Sequence, residues 1–300
     1  MSKESRSLGV LLLALLFCGC TKEIDFDYHT TPPVVVIEGR VTNEGTEVMV
    51  TQSRNVTDSV MGRSLPGALV TVSIESPAGS GHWDVADTVA FDTRAGRYRS
   101  PLKGRAGERY RLEVQMGAQH YEGEATMPGA AQILSAEFYW FTMFEERVVV
   151  YEMWAKDPSP AERNYYWYRM DRRTSHPQTQ TTHRSQPYLW NVFDDRGNPP
   201  GLLFRDVMCM TERMAEKDEE ENWDIILYEG DTVTCQLMTI DRATYDYLTS
   251  LRAGQSGGAN PKTNMTGGCQ GYFTAGTVTR ADTIVFSYGT IKPEPSFVFK

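Results

Sequence analysis

The stretch Ala68–Ser76, ALVTVSIES, sets Val70, Val72 and Ile74 two residues apart, with Thr71 and Ser73 between them. That period puts the apolar side chains on one face of an extended strand and the hydroxyls on the other. Pro66-Gly67 enters the strand as a turn, and Gly96 does the same before Tyr98. Outward from it, VVVIEGRVTN (34–43), EVMVTQSRNV (47–56), VADTVAFDT (85–93), GRYRSPL (96–102), RYRLEVQMG (109–117) and HYEGEATMP (120–128) read as further short strands between turn residues. Strands at such regular spacing point to a β-sandwich over residues 33–130. No helical period of useful length interrupts it.

The second half, residues 131–300, is β-rich with longer elements and more aromatic residues. SAEFYWFTMF (135–144), RVVVYEMWAKD (147–157), RNYYWYRMDRR (163–173), PYLWNVFDD (187–195), LLFRDVMCMTE (202–212), WDIILYE (223–229), DTVTCQLMTI (231–240), GCQGYFTAGTV (268–278) and DTIVFSYG (282–289) read as strands. YEGD, ending at Asp231, and TRADT, ending at Thr283, read as hairpin turns. One main helix is predicted over about 241–253, with Asp241 as N-cap, Tyr245, Leu248 and Leu251 on one face, and Gly254 at its end. The expected fold class is therefore all-β: an N-terminal immunoglobulin- or transthyretin-like sandwich, then a larger β-rich domain with one helix.

PGALVTV, AGRYRS and GERYRLEVQ resemble the small sandwiches related to transthyretin and the carboxypeptidase regulatory domain. That resemblance implies a scaffold or spacer and no catalytic activity.

The formal net charge of −9 excludes the basic footprint that nucleic-acid binding requires. Past residue 20 the cysteines are Cys209, Cys235 and Cys269. An odd number leaves at least one thiol unpaired, so no disulfide framework organises the fold.

At the N-terminus, Lys3 and Arg6 precede the apolar run Leu8–Phe17, which ends in Cys18-Gly19-Cys20. A charged start, an apolar run and a small residue before the cut describe an export signal over residues 1–19. The run is about half the roughly twenty residues a membrane-spanning helix needs. Gly19-Cys20 resembles the bacterial lipobox, in which the cysteine carries diacylglycerol and the chain is cut before it. This assigns lipidation to Cys20, discards Cys18 with the signal, and makes 20–32 a tether to the outer-membrane lipid. Acyl chains, such as palmitate, at about 0.8 kcal/mol per buried CH₂ attach a protein without a transmembrane helix. Lys22, Glu23, Asp25 and Asp27 follow directly, and such acidic tethers resemble the surface-export signal of Bacteroidota lipoproteins. A merely solvated acidic linker is the alternative.

Taken in order, CTKEIDFD, VVVIEGRVTNEG, PGALVTV, GRYRS, GERYRLEV, HYEGEATMP, LMTIDRATYDYLTSLRAGQSGG and NMTGGCQGYFTAGTV resemble the Bacteroidota outer-membrane lipoprotein family defined by domain of unknown function 4249. The resemblance spans nearly all of the mature chain and is most specific from Thr239 to Val278. It implies a surface lipoprotein that assists a TonB-dependent receptor in capturing a nutrient, and it supplies neither ligand nor catalytic residue.

Chemistry-bearing patterns are sparse. GQSGG (254–258) matches G-x-S-x-G, but a nucleophile needs a strand-to-helix turn, whereas Ser256 follows a helix. His29, His82, His120, His176 and His183 are scattered, and Asp194, Asp195 and Asn198 lack the closing Glu of a calcium loop. No catalytic residue, metal or cofactor is assigned. Trp140, Tyr166, Trp167 and Tyr168 are candidate ligand-platform aromatics, although alternation sends at least one face of 165–168 into the core. Asp-Ser/Thr-aliphatic triplets at Ser59, Thr88, Thr232 and Thr283 resemble Bacteroidota O-glycosylation sites, or simply begin strands. The expectation is a non-enzymatic accessory subunit of a TonB-dependent uptake system. A stand-alone glycan- or protein-binding adhesin is the alternative.

Overall fold

The computed structural model describes residues 32–53, 64–174, 176, 185–214, 226–254 and 261–294. The first half supplies β1 (Val35–Thr42), β2 (Gly45–Gln52), β3 (Leu69–Glu75), β4 (Trp83–Thr88), β5 (Ala90–Asp92), β6 (Arg97–Ser100), β7 (Arg109–Met116) and β8 (Gln119–Thr126). Then come β9 (Gln132–Met143), β10 (Glu146–Lys156), β11 (Tyr165–Arg173), β12 (Ser185–Asp194), β13 (Leu202–Cys209), β14 (Thr232–Ile240), helix α1 (Arg242–Gly254), β15 (Gln270–Arg280) and β16 (Ile284–Val285). The protein is all-β, with one helix among the described residues.

Three sheets form. The largest runs β12-β11-β14-β15-β1-β2-β6-β5, with β16 also on β14; β13-β10-β9 and β4-β3-β7-β8 are the smaller ones. One face of the large sheet is apolar along its whole width. Ile37, Val41, Val48 and Phe273 pack with Val70, Val72, Leu112 and Val114 of the four-stranded sheet. Further along the same face, Tyr166, Tyr168, Cys235 and Leu237 pack with Phe138, Tyr151, Met153 and Leu203 of the three-stranded sheet. The alternation read at Val70 and Val72 thus builds a sandwich, with about 2 kcal/mol gained per fully buried apolar side chain.

The two cores fall mostly on either side of residue 130, yet the sheet crosses that point. Strand β15 lies parallel to β1, with Ile37 opposite Gly271 and Val41 opposite Ala275. All the strands belong to one compact unit, Val34–Ser53 with Val60–Lys300. Gly271 makes the junction sterically possible. Its φ is +109°, and a Cβ there would lie 1.9 Å from the Ile37 carbonyl oxygen, so any side chain would collide with the neighbouring strand.

Two turns differ from expectation. Residues 279–283 do not form a hairpin, because β15 and β16 both pair antiparallel to β14 and run end to end along it. The Ala281 N–H donates to the Cys235 carbonyl, which makes the segment a jog in one continuing strand. Tyr228–Asp231 is a turn, closed by the Asp231 N–H on the Tyr228 carbonyl, but it joins an isolated bridge at Leu227 to β14. Helix α1 starts as expected: Asp241 accepts from the Thr244 N–H at 2.8 Å. Tyr247 and Leu248 are buried on the sheet face opposite the two cores, beside Tyr272 and Met238. No helix among the described residues is long and apolar enough to cross a membrane.

Candidate functional site

Since alternate residues of each strand point to opposite faces, the large sheet has a second face of different chemistry. On it stand Glu38, Arg40 and Thr42 of β1, Glu47 of β2, Arg99 of β6, Thr274, Val278 and Arg280 of β15, Gln236 and Met238 of β14, and Trp167 and Arg169 of β11. Helix α1 covers one end of this face. The remainder is a groove of about 610 Å³ reaching from Trp167 and Arg169 to Arg99 and Asp92. Six strand spacings of about 4.8 Å, from β11 to β5, make that reach about 29 Å.

Ion pairs crowd the floor. Glu47 is hydrogen-bonded by Arg40 and by Arg97 at 2.8 Å, and Arg99 lies 3.7 Å away. Burial would raise the Glu47 pKa, but the Arg40 and Arg97 guanidiniums outweigh it and hold the carboxyl below its usual range. Glu44, in the β1–β2 turn, is lowered by a two-point hydrogen bond from Arg280, at 2.7 and 2.5 Å. Glu38 goes the other way: burial raises it, with only partial relief from Arg40 and Arg97.

Several donors on this face are not spent within the protein. Arg99 is 57 % exposed and lies 3.7 and 3.8 Å from Glu47 and Asp92, beyond hydrogen-bond reach. Arg169, which also lines the groove, donates through Nε to Asp171 at 2.7 Å, and its terminal nitrogens make no hydrogen bond among the described residues. The indole N–H of Trp167 and the hydroxyl of Thr274 have no hydrogen-bond partner among the described residues, but both atoms are shielded from solvent and Thr274 does not line the groove.

Of the four candidate platform aromatics, only Trp167 lines the groove. Tyr166 and Tyr168 are fully buried on the opposite face, so both are core residues and leave the platform. Trp140 is stacked on Tyr288 and carries the Arg147 guanidinium 4.4 Å over its ring, so its surface is already engaged. The arginines were missed by sequence reading. Arg40 and Arg99 follow the strand alternation, but their meeting with Arg169 and Arg280 depends on the order of strands in the sheet.

Thr88 and Thr283 are exposed, whereas Thr232 sits half-buried within β14. Cys209, Cys235 and Cys269 are buried free thiols. The Asp194–Asn198 turn has its carboxylates taken by arginines: Asp194 by Arg196 at 2.7 Å and Asp195 by Arg163 at 3.4 Å. Register across β7 and β8 brings Glu113, His120 and Glu122 within 4.8 Å of one another on the surface, a grouping the scattered histidines did not suggest. Cys20, Lys22, Glu23, Asp25, Asp27, Ser59 and Ser256 lie outside the described residues.

A family model described as a domain of unknown function, DUF4249, matches residues 21–282. No curated protein matches the chain. Among solved structures, a DUF4785 family protein from Legionella pneumophila subsp. pneumophila str. Philadelphia 1 is similar over 68 % of this chain at 8 % identity and a TM-score of 0.25. The chain spans 52 % of that protein's length.

Proposed function

The chain belongs to the DUF4249 family, and on that footing we propose that it is a lipid-anchored protein of the outer-membrane surface that serves a TonB-dependent nutrient receptor as a ligand-binding subunit. Acylated Cys20 is the anchor, and Lys22, Glu23, Asp25 and Asp27 direct the chain outward. The observation that carries the reading is the open groove on the large sheet. A face that served only as scaffold has no need of unspent guanidinium donors beside an aromatic edge. Binding sites are concave, with a few convergent polar groups, and this face has that form. The role is binding rather than catalysis, as the sparse chemical motifs of the sequence suggest.

Affinity purification of the full chain from membranes in mild detergent, after crosslinking, tests the partnership. A barrel receptor is expected in the eluate, and a clean single chain overturns the accessory role in favour of an adhesin. Cys20→Ser is expected to abolish lipid labelling and release the chain from the membrane. Protection of the intact-cell protein from added protease would overturn the outward orientation.

A further inference from the structure

We propose that the groove binds an acidic oligosaccharide laid across the strands, with its anionic groups on Arg99 and Arg169 and a sugar ring against Trp167. The inference rests on the reading that this sheet face is the ligand-binding surface, and it names the ligand.

Donors and acceptors alternate along the groove. From β11 to β5 the groove presents Arg169, then the Arg280–Glu44 pair, then Arg40–Glu47, then Arg99 and Asp92. A ligand suited to that order must donate and accept at short intervals along about 29 Å of length. Sugar hydroxyls do both. A guanidinium–carboxylate pair can receive one hydroxyl between its members, the oxygen accepting from arginine while the proton goes to the acid.

Arg99 and Arg169, although within ion-pair distance of carboxylates, keep guanidinium N–H donors that those carboxylates do not use. Arg99 makes no hydrogen bond to either nearby carboxylate, and Arg169 uses only Nε on Asp171. Planar guanidiniums bind carboxylate or sulfate oxygens through paired N–H donors, which a lysine ammonium does not match. The groove lining holds four arginines and no lysine against three carboxylates, Glu44, Glu47 and Asp92, whereas the whole chain carries a net charge of −9. An anionic ligand is therefore received locally on a protein that repels anions elsewhere.

The direction of the groove favours a glycan over an acidic peptide. Peptides added to sheets pair along an exposed edge or seat apolar anchors in pockets. This groove crosses the strands on a sheet face, and its apolar lining is confined to Trp167, Met238, Val278 and Pro101. The contiguous strip of Trp167, Met238 and Val278 on β11, β14 and β15 fits the C–H face of a sugar ring.

Titration calorimetry of the full chain in mild detergent tests the proposal with four probes: an oligogalacturonate, a sulfated galactan oligomer, a neutral galactan oligomer and an oligoglutamate peptide of similar length. At least one acidic glycan is expected to bind ten-fold or more tighter than the neutral one, with affinity falling as salt rises, and the two acidic arms distinguish carboxylate from sulfate. Arg99→Gln, an exposed residue without hydrogen bonds, is expected to weaken that binding about ten-fold with unchanged thermal unfolding. Trp167→Phe, which keeps an aromatic ring but narrows the face offered to a sugar, is expected to weaken it several-fold. Equal binding of the neutral glycan, tighter binding of the peptide, no binding of either acidic glycan, or indifference to Arg99→Gln would overturn the proposal. The titration needs no receptor. A chain that binds the acidic glycan yet purifies alone refutes the accessory role and leaves the ligand class standing; co-purification without glycan binding does the reverse.

Discussion

The side chain of Asn43 takes the place of a strand for Val278. Its Nδ2 donates to the Val278 carbonyl at 3.0 Å, and its Oδ1 accepts from the Val278 N–H at 2.7 Å. The β1–β15 ladder ends at Thr42 opposite Gly276, and the amide adds one more rung. Asn264 does the same for Phe273 on the same strand, at 2.7 and 2.9 Å. Primary amides are suited to this because they carry one acceptor and one donor in the geometry of a peptide group. Both clips hold β15, the strand that joins the two halves of the large sheet.

Removing either clip leaves a backbone pair unsatisfied. Asn43→Ala is expected to cost about 1 kcal/mol, since water can reach the site, and the less exposed Asn264→Ala about 2 kcal/mol. Urea denaturation of each variant measures the loss. Equal stability with the parent would show that the clips are incidental.

At Gly271 an added methyl meets the Ile37 carbonyl at a backbone angle that disfavours any side chain. Gly271→Ala is expected to lose about 4 kcal/mol or more, among the largest single-site effects known. Thermal unfolding of the soluble fraction, or failure to recover any, checks this.

Two carboxyls on the groove face should respond to pH with opposite sign. Glu38 is raised by burial, so its contribution is fully present below the unfolded value of about 4.3 and is lost as pH rises through the folded one. Glu38→Gln should therefore stabilise the protein at pH 7 and be neutral at about pH 3. Glu47 is held low by Arg40 and Arg97 against the burial that would raise it, so its contribution is present above about 4.3 and lost as pH falls. Glu47→Gln should destabilise at pH 7 and lose its effect in acid. Denaturation curves at both pH values decide the signs.

The β9–β10 hairpin turns through Phe144 and Glu145, both at positive φ, with Phe144 91 % exposed. Two-residue turns of this kind favour Asn-Gly. The double substitution Phe144→Asn, Glu145→Gly is expected to raise stability by about 1 kcal/mol through relief of left-handed backbone. A lowered melting temperature would indicate that Phe144 makes a stabilising contact.

Burial pushes the Cys209 and Cys235 thiols up to about 12, and thiolate is the reactive form. Neither should be alkylated by iodoacetamide at pH 8 until denaturant is added. Mass spectrometry of the labelled chain reads this directly, and rapid native labelling of either would contradict the burial.

Local patterns in the sequence were enough to locate most of the strands, the helix with its Asp241 cap, and the apolar residues of both cores. Alternation and capping act between residues a few positions apart, so they are written where they operate. The same alternation narrowed Tyr165–Tyr168 to one core face and one open face without telling which was which. Lateral strand order has no such local mark. That β15 lies beside β1 follows from packing between segments more than two hundred residues apart, and only there do Arg40, Arg99, Arg169 and Arg280 become neighbours on one surface. The elements and the chemistry each strand carries are written locally in the chain, because side-chain period is a property of the backbone. The tertiary structure alone decided that one continuous sheet serves both cores, and that its other face gathers those side chains into a groove.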